Sequence, residues 1–135
     1  YPGGGNAGKE ADLDQSHSHL VLVNSPDWGG ESSMIVNLAR TIAAGQPCMG
    51  ILINGGRVAE QDVYIATASG QDRVPVMVLE GSGRASDEIA AAVRSGNSDR
   101  DIIRSIATDG DIRLARLDEG PVGLWRRLEA MFKHD

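Results

Sequence analysis

The chain has 135 residues, 41% of them hydrophobic, and a formal net charge of -6 from 13 Lys and Arg against 19 Asp and Glu. That length carries one core, and the charge provides no broad basic surface for a nucleic-acid backbone or an anionic membrane, although it permits a local anion site. Cys48 is the single cysteine, which excludes an internal disulfide framework and any multi-cysteine metal site.

No stretch has the length of a membrane span or the layout of a signal peptide, so the expected compartment is the cytoplasm. The first residues, "YPGGGNAGKEADLDQ", show neither helical nor strand period. Residues 1–16 are expected to be a loop exposed by truncation or processing.

In "HLVLVNS", Leu20 to Val23 form a short continuous apolar run ending in turn formers, which predicts a strand buried on both faces. "ESSMIVNLARTIAAG" follows with Met34, Ile35, Leu38, Ala39, Ile42 and Ala43 at helical spacing, and Gly45 and Pro47 supply the stop. The unit repeats. "CMGILINGG" predicts a buried strand, "RVAEQDVYIATAS" a weaker helix ended by Gly70, and "VPVMVLEGSGR" a third strand. A helix from Ala85 to Ser95 comes next, with Ile89, Ala92 and Val93 on one face. Strands without inside/outside alternation, each followed by a helix, imply an α/β fold: a Rossmann-like open parallel sheet with helices on both faces.

Further on, Ser98 and Asp101 have capping-box spacing at the start of another helix. "DIRLARLDEG" reads as an edge strand, because Arg113 and Arg116 interrupt Ile112, Leu114 and Leu117. Pro121 then opens a helix whose Leu124, Trp125, Leu128, Met131 and Phe132 form an apolar stripe expected to cover the sheet.

Strand C-termini and helix N-termini share one rim in such a sheet, so three loops converge there: Asn24 to Glu31, Asn54 to Arg57, and Glu80 to Arg84. In the third, Gly81 and Gly83 allow a ligand to approach the main chain, Ser82 offers a hydroxyl, and Arg84 offers a planar fork for phosphate or carboxylate. The alternative is a tight turn in which Arg84 pairs with Glu80 or Asp87. Gly55 and Gly56 repeat the opportunity for backbone donation, while Trp28 either stacks on a base or folds onto the adjacent helix. A nucleophile elbow fails for want of a glycine two residues after Ser82, and neither His17, His19 nor His134 is placed as its base. "HSH" suggests two metal ligands without a third, so no metal and no cofactor is expected.

"LDQSHSHLVLV", "DWGGE", the strand ending in "NGG" and "VPVMVLEGSGRASDEIA" together resemble the SLOG superfamily, in particular the bacterial LSDAT branch related to the N-terminal domain of melastatin-type TRP channels. The resemblance runs from about residue 12 to about residue 96, most specifically in "EGSGRASD". It implies one domain over 1–135, with its family core at 17–96 and a C-terminal helix-strand-helix at 97–135. It also implies a sensor of a nucleotide-derived small molecule, ADP-ribose or a kin molecule in the channel relatives. The resemblance implies that the loop of Gly81, Ser82, Gly83 and Arg84 contacts the phosphate and ribose, that Arg84 matches the family's ligand-contacting arginine and that Trp28 stands where the channel relatives can have an aromatic contact; the rim loops add Asn54, Gly55, Gly56 and Glu31 as candidate ligand residues. Ile35 stands where some channel relatives carry another basic contact, and the family's preceding strand, glycine loop and helix are expected to be missing.

Two other functions fit the superfamily or the fold. Phosphoribohydrolases in the superfamily carry "PGGxGTxxE", and the corresponding "INGGRVAEQD" offers Glu60 as the catalytic carboxylate without the Gly-Thr pair. An interaction domain without a ligand would instead pair its strand near Ile112 with another chain. The expected partners are therefore a nucleotide-derived small molecule, and a second copy or an attached effector domain, with no nucleic acid and no direct membrane contact.

Overall fold

The apolar runs of "CMGILINGG" and "VPVMVLEGSGR" become strands of one parallel sheet. A computed structural model describes residues 13, 15–68 and 73–133. Among these, β1 (Gly50–Leu52), β2 (Val76–Glu80) and β3 (Ile112–Arg116) lie in the order β1-β2-β3. Gly50 is in register with Val76, and Val76 with Ile112. β2, the most apolar strand, takes the centre; β3, with its two arginines, takes an edge, as its sequence predicts.

Helices α1 (Ser32–Ala43), α2 (Arg57–Ala68), α3 (Arg84–Ser95) and α4 (Asp101–Asp109) accompany α5 (Gly120–Phe132), which carries Pro121 in its first turn. Alternation along the strands separates two cores. Leu52, Val76 and Val78 face α1 to α4, where Val63, Ile89, Ile103 and Ile106 close the interior. Met77, Leu79 and Ala115 face the other way, beneath Leu124, Leu128 and Met131 of α5. Helices therefore cover both faces of an open parallel sheet, the Rossmann-like arrangement. No helix among the described residues is long and apolar enough to cross a membrane.

Several sequence expectations are corrected. Leu20 to Val23 are not part of a strand, and Leu20, Val21 and Leu22 are each at least half exposed. A continuous apolar run is buried on two faces only when strands and helices close around it, and here they do not. In α1 the buried residues are Ser32 and Val36, whereas Met34, Ile35 and Ile42 are exposed. In α5, Trp125 and Phe132 point to solvent while Leu124, Leu128 and Met131 pack. Ser98 and Asp101 make no capping box. Arg100 is the N-cap of α4, and its N–H donates to Ser98 Oγ at 3.2 Å, so the serine forms a local turn instead. The predicted helix stop at Gly70 lies outside the described residues.

Candidate functional site

The C-terminal ends of β1 and β2 lead into two short loops that are laced together. Asn54 N–H donates to Ser82 Oγ at 2.8 Å and its side-chain amide donates to Ser82 O at 2.8 Å. Ser82 Oγ in turn donates to Leu79 O at 2.6 Å, and Ser86 N–H donates to Asn54 O at 3.0 Å. Ser82, expected to donate to a ligand, spends its hydroxyl on this lacing. The backbone turns that allow it are left-handed: Gly83 has φ 98°, while Asn54 and Arg84 hold φ 59° and 49° without being glycine. Asparagine tolerates that region, but an arginine there is uncommon and is held by its surroundings.

Arg84 lies across the opening between the loops. A Cβ added to Gly56 would stand 2.6 Å from Arg84 Nη2, so the absence of a side chain at Gly56 is what lets the guanidinium rest on the backbone. Among the described residues its one hydrogen bond is a long one, Nη1 to Asn54 Oδ1 at 3.5 Å. Neither carboxylate close to it in sequence reaches it. Glu80 binds Arg94 through Nε at 3.2 Å and Nη2 at 2.5 Å, and Asp87 Oδ1 accepts the Gly81 N–H at 2.6 Å. Among the described residues, no carboxylate pairs with Arg84. A cation without a counter-ion beside open main chain is suited to an anion.

Two helices begin at this opening. Glu60 N–H bonds Gly56 O, so the N–H groups of Arg57, Val58 and Ala59 precede the first intrahelical bond of α2. Arg84 and Ala85 occupy the same positions in α3. Both helix dipoles present their positive ends here. Arg57 belongs with the site as well: it is exposed, starts α2 and, like Arg84, pairs with no carboxylate among the described residues. Its signal in the sequence was its position directly after "NGG", where a helix starts.

Trp28 and Glu31 sit on the first loop. Glu31 Oε2 accepts the Gly29 N–H at 3.0 Å, and Gln61 of α2 donates to Gly29 O at 3.2 Å, which ties the loop to the helix that opens at the crevice. Glu31 thus shapes the loop. Trp28 is 59% exposed rather than folded onto the helix, leaving an indole face available.

Glu60 has a different place. Its side chain is almost fully buried and is gripped by both terminal nitrogens of Arg100, Nη1 to Oε1 at 2.8 Å, while the same Nη1 also reaches Glu88 at 2.7 Å. Those bonds hold Arg100 above the ordinary arginine range. The carboxylate fastens α2 to the start of α4 and carries no free oxygen to the rim.

A second crevice, ≈ 580 Å³, opens on the other side of Gly81, lined by Glu80, Arg94, Arg116, Leu117 and Asp118. Here each arginine has a carboxylate. Arg94 is raised by its bond to Glu80, and Arg116 by its bond to Asp118 at 3.0 and 2.5 Å. Among the described residues no cluster of three or more His, Cys, Asp or Glu is arranged for a metal ion.

No curated protein and no solved structure matches the chain. A family model does, and its span extends on both sides of residues 12–96, where the motifs lie, and reaches into α5. With the glycine loops and Arg84 set at one rim of a Rossmann-like sheet, the chain belongs to the family described as SLOG in TRPM, prokaryote (LSDAT_prok), whose model matches residues 2–124.

Proposed function

We propose that the crevice between Asn54–Gly56 and Gly81–Arg84 binds the phosphate-bearing part of a nucleotide-derived small molecule of the ADP-ribose type, and that the domain acts as a ligand sensor. The observation that carries this reading is Arg84, resting on the bare backbone of Gly56 with no carboxylate partner among the described residues. The first turns of α2 and α3 add main-chain donors, Arg57 adds a second cation, and the exposed Trp28 offers a surface on which a base stacks. Binding is favoured over hydrolysis, because Glu60, the carboxylate a phosphoribohydrolase mechanism would use, is committed to Arg100.

Titration calorimetry with ADP-ribose, ADP and AMP tests the proposal. The expected result is saturable binding of at least one of them, weakened by roughly 10- to 150-fold in Arg84→Ala, the loss of one charge-assisted contact. Absence of heat with all three, or an unchanged Kd in Arg84→Ala, overturns it.

A further inference from the structure

The sheet has a point at which its outgoing connections part. β1 and β2 lead into α2 and α3, which pack on the face of Leu52, Val76 and Val78, whereas β3 leads through the short 3-10 turn Leu117–Glu119 into α5 on the opposite face. Where neighbouring parallel strands send their connections to opposite faces, a gap is left outside their C-terminal ends, and ligands of open α/β sheets collect at such gaps. Here that gap lies between β2 and β3. The Arg84 crevice lies between β1 and β2, whose helices share a face.

The ≈ 580 Å³ crevice beside Gly81 occupies the gap, and its volume is that of a small-molecule site. Glu80 and Arg116 are register partners at the ends of their strands, in line with Val78 and Leu114, so both side chains stand on the α3 face of the sheet. Arg94 reaches in from the last turn of α3, and Leu117 and Asp118 come from the turn after β3. Two guanidiniums and two carboxylates therefore line one opening, with no net charge. Arg94 is raised chiefly by its bond to Glu80 and held back by the charge of Arg116, while Arg116 is raised chiefly by Asp118 and further by Glu80; the four groups act on one another across the crevice.

Their pairing leaves capacity. Each guanidinium spends Nε and Nη2 on one carboxylate, and among the described residues Nη1 of each has no hydrogen-bond partner. Each carboxylate oxygen accepts one of these bonds and keeps a lone pair. Exposed pairs contribute little stability, so they rearrange around a ligand at small cost. An anion gains little where every cation has a counter-ion. A molecule that carries both charges gains at both ends, its carboxylate on the guanidinium edges and its ammonium on the carboxylates. We propose that the β2–β3 crevice is a second binding site, for a small zwitterion with a carboxylate and an ammonium group, an amino acid or a dipeptide. Its carboxylate lies between Arg94 and Arg116, its ammonium against Glu80 and Asp118, and an aliphatic side chain rests on the half-exposed Leu117.

Heteronuclear NMR titration reads this site through the Leu117 and Asp118 amides. L-Leucine and glycyl-L-leucine are expected to shift both amides saturably, the tighter of the two showing whether a free amino acid or a dipeptide is preferred. Isocaproate and isoamylamine, which keep the leucine skeleton but only one of its charges, bind about tenfold more weakly or worse. Arg94→Ala and Arg116→Ala each weaken leucine binding about tenfold, whereas Arg84→Ala leaves it unchanged. Both target side chains are more than half exposed, so the fold tolerates their loss, and circular dichroism checks that it does. Nucleotide affinity at the Arg84 crevice does not follow these two substitutions. No saturable shift with leucine or the dipeptide, isocaproate or isoamylamine binding as tightly as leucine, or a response lost in Arg84→Ala and kept in Arg94→Ala and Arg116→Ala overturns the proposal.

Discussion

Gly81 divides the rim into two crevices made from nearly the same materials. Each has a glycine-rich turn, strand C-termini and arginine. On the β2–β3 side, Arg94 and Arg116 are each gripped by a carboxylate, and the cleft is electrostatically closed upon itself. On the β1–β2 side, Arg84 and Arg57 have none among the described residues, and two helix N-termini add to their field. Composition is therefore a poor guide to an anion site. Pairing decides, and pairing depends on where each neighbouring carboxylate is sent by the fold.

That contrast is open to attack by substitution. The largest effect beyond Arg84 itself is expected at Ser82, whose hydroxyl links Asn54 to Leu79. Ser82→Ala should lower stability by about 1–3 kcal/mol in urea melts, because half-buried main-chain groups lose their partner, whereas among the described residues no side-chain hydroxyl braces the other crevice in this way. Gly56→Ala comes next. Its new methyl collides with the end of a flexible side chain rather than with backbone, so the fold should survive while Arg84 is pushed aside. Ligand affinity is expected to fall roughly tenfold with little change in Tm, a shift of about 1.4 kcal/mol in binding alone. The smallest effect belongs to the closed crevice: Arg94→Ala should leave affinity within about twofold and move Tm by about 2 °C or less, since exposed ion pairs contribute little. If Arg94→Ala weakened binding as much as Gly56→Ala, the two crevices would have to be regarded as one site.

Much of the fold was legible because its signals are local. The apolar runs at β1 and β2, the glycine punctuation after them and the interrupted pattern of β3 each depend on a few neighbouring residues. Leu20 to Val23 and the outward residues of α1 read differently in the structure for one reason: an apolar run calls for a cover, and burial depends on which distant elements supply it. The site was legible at its glycines and at Arg84 as a residue type. Its electrostatics were not, because Glu80 goes to an arginine fourteen residues further on and Asp87 bends back to the Gly81 amide. Arg57 escaped notice because a lone arginine at a helix start is commonplace.

The lacing between Asn54, Ser82 and Ser86 joins positions about thirty residues apart, across an entire strand-helix-strand crossover. The crevice consequently exists only in chains that have completed that crossover, and an occupant bound there has no counterpart in the denatured ensemble. By mass action, a ligand present at a hundred times its Kd would add about 2.7 kcal/mol to the unfolding free energy. Melting temperature thus becomes a meter of occupancy, and a library of phosphorylated metabolites can be ranked by heating alone.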